Sequence, residues 1–233
     1  MNKIAVRLVA LVFAGFLMTS PASAILTIDS FDVGTTSITA NSGTPVVSQT
    51  LGGLPAGDTI GGVRFSQVTW QSGALSASMN ANPPAGVMGL SSNTGVTALF
   101  ELGYDAGGAG LGGIDLTEGG LSPGFAVFFT SADAGSATTV TLEDTGGDTL
   151  TRTLNTPGPG FLFFQYAAFA GVGDVTDIDS IDFSIQGVVD GDYQVELIQS
   201  RDRPGDGIPE PITATLALVG LCALGVATRR RAA

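Results

Sequence analysis

The sequence predicts an all-β fold, a single antiparallel β-sandwich of jelly-roll type. Three observations carry that expectation. Short runs of alternating apolar and polar residues recur along the middle of the chain. Clusters of Gly, Pro, Asn and Ser separate them, drawn from 34 Gly and 11 Pro in 233 residues. Between the two apolar ends, no stretch repeats apolar residues at helical spacing over three turns. About nine to twelve short strands in one unit of this size suit two packed antiparallel sheets.

The first element is a helix that does not belong to the sandwich. Lys3 and Arg7 precede an apolar run from Leu8 to Met18, then Ser20-Pro21 and Ala22-Ser23-Ala24. A basic start, an apolar run and small side chains at Ala22 and Ala24 mark a secretory signal, residues 1–24, cut after Ala24 by signal peptidase. The run of 11 apolar residues spans only about 16 Å as a helix, too little for a permanent anchor.

The sandwich follows over residues 25–203. Leu26–Phe31, Val63–Trp70, Ala74–Met79, Val96–Tyr104 and Phe125–Thr130 read as strands. The clearest pair is Thr139–Asp144 and Thr149–Leu154, joined by Thr145-Gly146-Gly147-Asp148 in a Gly-containing hairpin. Ile181, Phe183 and Ile185 alternate with Asp182 and Ser184, and Tyr193, Val195 and Leu197 repeat the pattern. Residues 204–208 are a short tether. The Gly-rich stretch Gly107–Gly113 lacks the Lys-Ser/Thr pair of a phosphate loop and reads as a flexible turn.

Residues 209–233 close the chain with Pro209-Glu210-Pro211, the apolar run Ile212–Ala227 and Arg229-Arg230-Arg231. The two prolines hold the backbone around Glu210 extended and set where a helix can begin. The 16 residues of the run give about 24 Å of helix, short of a bilayer core of roughly 30 Å, which suits a transient membrane passage. The triple Arg keeps the far end cytoplasmic, as Lys3 and Arg7 do at the other end, so the body lies outside the cytoplasmic membrane.

Composition excludes whole classes of chemistry. The chain has no His, so Ser-His-Asp and Cys-His catalysis, His-based metal centres and imidazole switches are ruled out. Its one cysteine, Cys222, lies in the apolar tail, so the body is free of disulfides. Residues 25–207 carry four arginines and no lysine against 20 carboxylates, a net charge of −16. Such a body offers nothing to nucleic-acid phosphates and attracts divalent cations.

The ending, with its Pro-Glu-Pro triplet, hydrophobic segment and terminal Arg cluster in order, resembles the PEP-CTERM sorting signal of Gram-negative bacteria. The resemblance covers about the last 25 residues. It implies handling by an exosortase at Pro209, Glu210 and Pro211, with Arg229, Arg230 and Arg231 as the cytoplasmic end of a helix held transiently in the inner membrane. It further implies residence at the cell surface, on the outer membrane or in an exopolysaccharide or biofilm matrix, as a structural or adhesive component and not an enzyme. A looser resemblance joins Asp29-Ser30-Phe31-Asp32, Gly113–Gly120, the Asp-Thr-Gly-Gly hairpin, Phe161–Phe164 and Asp192–Gln199. These are similar to galactose-binding-like sandwiches found among carbohydrate-binding modules.

The candidate sites follow from the plentiful groups. For a surface glycan, Trp70, the single Trp, with Tyr104 would supply the aromatic platform, the alternative for Trp70 being burial between the sheets. No cofactor is expected beyond a structural Ca²⁺, for which hard oxygens are needed. Asp29, Asp32 and Asp192 would supply them where first and last strands meet; the stretch Asp174 to Asp182 is the other location. A carboxylate pair for glycoside hydrolysis would need two acids facing across a cleft, and no spacing here fixes one.

Overall fold

A computed structural model describes residues 25–83 and 85–201. The signal segment, the tether and the sorting tail lie outside the described residues, and so do the two helices expected to flank the sandwich. The described chain is β1 (Leu26–Asp29), β2 (Thr36–Ala40), β3 (Val46–Gly52), β4 (Val63–Ser72), β5 (Ala77–Ala81), β6 (Met88–Ser92), β7 (Thr97–Tyr104), β8 (Gly124–Ala132), β9 (Ala137–Asp144), β10 (Thr149–Asn155), β11 (Gly160–Gln165), β12 (Ala170–Gly171), β13 (Ile178–Gln186) and β14 (Asp192–Arg201). The only helical pieces among the described residues are two single 3₁₀ turns, at Ile60–Gly62 and Tyr166–Ala168.

The strands form two antiparallel sheets. The first runs β11-β8-β14-β6-β5-β2, with β1 also paired to β14; the second runs β12-β10-β9-β13-β7-β4-β3. The all-β, jelly-roll-like sandwich expected from the alternation is the fold of the described chain. Inward positions of both sheets fill one apolar layer. Phe100, Leu102, Val140, Leu142, Ile181 and Phe183 come from the second sheet, and Met79, Met88, Leu90, Phe125, Val127, Phe129 and Val195 from the first. Phe125 stacks on Phe164 with ring centroids 5.2 Å apart. Emptying one such Phe position to Ala costs about 3–5 kcal/mol, the scale of the net stability of a domain.

The hairpin read from the sequence holds the expected register, Thr149 opposite Glu143 and Asn155 opposite Ala137. Asp144 builds its turn, because Oδ1 accepts from the amides of Gly146 (2.9 Å) and Asp148 (3.0 Å). On the outer face Thr139 meets Thr153 (2.8 Å) and Thr141 meets Thr151 (3.3 Å), a ladder that only matched register allows. One seam of the sandwich is closed by a side chain. Gln49 of β3 accepts from the amide of Ser37 (3.1 Å) and donates to the carbonyl of Thr35 (3.3 Å), linking the edge strands of the two sheets.

Candidate functional site

The expected metal triplet is not assembled. Asp29 and Asp192 sit at opposite ends of the β1–β14 region: Asp29 faces Ile198 across the β1–β14 ladder. The six residues from 192 to 198 correspond to about 20 Å along a strand. Asp192 is exposed and accepts from Ser91 Oγ, while its amide donates to Asp133 (2.8 Å). Asp32 is exposed on the loop after β1. Among the described residues no group of three or more His, Cys, Asp or Glu is placed to hold an ion.

Asp29 instead meets an internal cation. It and Arg64 are both fully buried, and Arg64 donates to it through Nε (2.6 Å to Oδ2) and Nη2 (2.6 Å to Oδ1). Two more guanidinium hydrogens reach the carbonyls of Val33 and Gly34, both at 3.3 Å. Phe31, held at φ 56°, presents its ring to the guanidinium carbon at 4.9 Å. Tyr104 donates its hydroxyl to Asp29 Oδ2 at 3.0 Å. Burial works against the Arg64 charge, but the Asp29 carboxylate outweighs it and holds the guanidinium more firmly protonated than usual. Burial, with the Asp29 charge beside it, pushes the Tyr104 phenol well above its ordinary value.

This corrects the expected sugar platform, because Tyr104 is a buried member of the ion-pair cluster. Nor does it adjoin Trp70. In the β4–β7 ladder Trp70 lies opposite Ala98, whereas the residue before Tyr104, Gly103, lies opposite Phe65. Trp70 is half-buried, packs against the core, and its indole nitrogen is enclosed.

A concave site does occur, on the outer face of the second sheet. Its floor is Gly103, an outward position of β7 without a side chain. Phe65 of β4 and Asp182 of β13 flank it on the neighbouring strands. A Cβ at position 103 would stand 3.0 Å from Asp182 Oδ1 and 3.4 Å from the Phe65 ring, so glycine keeps the hollow open. Glu143 and Ser180, opposite each other across β9 and β13, form one wall. Asp105, Gly108, Gly110 and Asp179 form the other, and the cleft holds about 330 Å³.

The Gly-rich stretch, expected to be a flexible turn, is bonded in place over this cleft. The carbonyl of Asp105 accepts from Gly108 (3.1 Å) and Gly110 (2.8 Å), and the Leu111 amide donates to the carbonyl of Asp179 (2.7 Å). Asp179 Oδ1 accepts from the Gly112 amide at 3.1 Å. Gly110 and Gly113 have φ of 79° and 77°, and a Cβ on either would strike the carboxylates of Asp179 and Asp177. Only glycine satisfies both demands at these positions.

Four carboxylates line the cleft, with no cationic side chain among the lining residues. Partial desolvation against the neighbouring strands, then the negative charges of Asp105, Glu101 and Glu143, raise the carboxyl of the surface residue Asp182 above its ordinary value. The arrangement is a ring of hydrogen-bond acceptors around one apolar ring, suited to a neutral, hydroxyl-bearing ligand. Two signals in the sequence point to it: Phe65 falls on the polar phase of Val63–Trp70 with Gln67 and Thr69, and Gly103 interrupts an otherwise regular strand.

Comparison with known proteins adds the address. A family model described as the PEP-CTERM protein-sorting motif matches residues 207–231. The chain carries a PEP-CTERM sorting signal. That signal marks an exported protein sorted by an exosortase, in line with the reading of Pro209-Glu210-Pro211 and the terminal arginines. No curated protein matches the chain. Among solved structures it is similar to the Family 11 carbohydrate-binding module from Clostridium thermocellum in complex with a beta-1,3-1,4-mixed-linked tetrasaccharide: 12% identity, 78% of this chain, 97% of that one, TM-score 0.40. It is also similar to TmCBM61 in complex with beta-1,4-galactotriose (14% identity, 71% and 88% coverage, TM-score 0.29). A third likeness is to PfGH50B, at 16% identity over 59% of this chain with TM-score 0.36, and the chain spans 22% of that protein's length. At these scores the likenesses bear no functional weight.

Proposed function

We propose that the exported body is a non-catalytic structural or adhesive component of the cell surface or of an extracellular polysaccharide matrix. The observation that carries this reading is the sorting motif at residues 207–231. The body supports it: a disulfide-free sandwich with neither histidine nor lysine, and a net charge of −16 over residues 25–207. Signal peptidase and an exosortase are its processing partners, and the apolar run Ile212–Ala227 is its transient hold on the inner membrane. Replacing Pro209, Glu210 and Pro211 together by alanine should leave the protein in the inner-membrane fraction, read by fractionation and immunoblotting. Unchanged delivery to the surface or medium would sink the sorting reading.

The cleft over Gly103 favours a second reading, a non-catalytic glycan-binding module whose site is Phe65 with Asp105, Glu143, Asp179 and Asp182. Carboxylates accept hydrogen bonds from sugar hydroxyls while an aromatic ring covers the apolar face of a pyranose. Glycan-array binding by the mature chain should be lost on Phe65→Ala and kept on Trp70→Phe. Equal binding by both variants would move the site elsewhere.

A further inference from the structure

The two sheets end side by side in β3 and β2, the strands that Gln49 links. This flank differs from the rest of the body in charge. From Val33 to Phe100, the stretch that supplies β2 to β6, the only charged residues are Asp58 and Arg64, and Arg64 is buried against Asp29. Of the 20 carboxylates in residues 25–207, only Asp58 falls in it. β3 pairs with β4 over its whole length without a bulge, and no strand lies beyond it. The Trp70 amide donates to the Pro45 carbonyl at 2.7 Å, which fixes the phase of that ladder. Val47, Gln49 and Leu51 therefore exchange bonds with β4, while Val46, Ser48 and Thr50 turn their amides and carbonyls away from it. The side chains of those three are exposed. On the neighbouring edge the Ser37 amide and the Thr35 carbonyl are already taken by Gln49.

We infer that β3 pairs antiparallel with β3 of a second copy, joining the second sheets of two bodies across a two-fold axis. An edge strand is guarded by charge, proline or a bulge, and Val46–Gly52 has none of these. Its outward amides and carbonyls are complementary to those of an identical strand turned end for end, so a two-fold axis satisfies both copies with the same groups. Electrostatics selects the same contact. Two bodies of net charge −16 over residues 25–207 repel wherever their carboxylates approach, and β3 with its neighbours β2 and β4 brings none to the joint. Val46, 51% exposed in the single body, gains cover there. Gln49 keeps its bonds to Thr35 and Ser37, because the joint uses the other phase of the strand. The inference concerns the body alone and needs neither the sorting reading nor a ligand in the cleft.

The test mixes full-length chains carrying two different affinity tags in an excess of nonionic detergent, with co-purification and sedimentation as readouts. Unsubstituted chains should associate, and more tightly as salt rises, because screening relieves the general repulsion while the joint itself holds no ion pair. Ser48→Glu with Thr50→Glu sets like charges across the axis, as does Ser48→Lys with Thr50→Lys. Each variant alone should lose about tenfold or more in association, and mixing the two should restore it. Phe161→Glu, on the open edge strand β11 of the first sheet, should leave association unchanged. Circular dichroism verifies the β-fold of each variant. Amide hydrogen exchange reads the same joint in the unsubstituted chain: Ser48 and Thr50 should exchange several-fold more slowly at high protein concentration than at low, and Gln49 should not change. Association that survives in the Glu variant, weakens with salt or is removed by Phe161→Glu would overturn the pairing. So would folded Glu and Lys variants that stay apart when mixed, or Ser48 and Thr50 amides indifferent to concentration.

Discussion

The Asp29–Arg64 pair exposes no surface to bulk solvent, so its stability depends on how completely each charge is bonded. Two donors meet the carboxylate head-on at 2.6 Å, Tyr104 adds a third bond, and two carbonyls take two of the three remaining guanidinium hydrogens. Losing one partner leaves a bare charge in an apolar layer, a cost of about 3–5 kcal/mol, whereas removing both charges together is often nearly neutral. Arg64→Met should therefore lower unfolding free energy by roughly that amount in urea titration. Asp29→Leu combined with Arg64→Met should regain most of it. A double variant as weak as the sum of the singles would show that the pair contributes through packing alone. The residue Arg64 gave no hint of this role in sequence, where a lone arginine at an even position of an alternating strand reads as a solvated exception.

At the scale of the strand, the second sheet gathers carboxylates from several elements onto one face. Glu101 and Asp182 lie on neighbouring β7 and β13, Glu143 on β9, and Asp105 just beyond β7. Asp182 has its carboxyl raised by partial desolvation and by these neighbours, so the folded chain holds that proton more tightly than the unfolded one. Its contribution to stability is greatest below the ordinary Asp range and is lost as pH rises through the raised folded value. Asp182→Asn should thus raise the melting temperature at neutral pH, and the gain should vanish in acid; a gain independent of pH would refute the charge origin. Much at this scale was legible in the sequence. The β9–β10 hairpin was readable in full because strong Thr/Leu alternation flanks a Gly turn, and the β4, β7 and β8 runs because large apolar residues mark them. β2, β3 and β6 escaped because Thr-Ser-Ile-Thr-Ala, Val-Val-Ser-Gln-Thr-Leu-Gly and Met-Gly-Leu-Ser-Ser carry few bulky residues and two lie at or near sheet edges. The cleft left only two marks in the sequence, Phe65 among polar positions and Gly103 within a regular strand, because it combines strands distant in sequence and its floor is defined by the absence of a side chain at Gly103.

Over the whole molecule, the C-terminal sorting signal was more legible than the centre. A sorting signal is read by enzymes as an ordered string of local features, so Pro209-Glu210-Pro211, an apolar run and three arginines can be recognised without any fold. A binding surface exists only after fourteen strands have been ordered, and sequence alternation says which face a residue takes without saying which strand stands beside it. That is why Trp70 and Tyr104 looked like partners and lie apart. The ion pair at Asp29 also bears on how an exported chain closes its first joint. The counter-ion of the first strand arrives covalently attached, on β4, so closing the joint between Asp29 and the loop that follows it is a unimolecular step. Its rate and equilibrium at that joint are set by the polypeptide alone, indifferent to the supply of divalent cation.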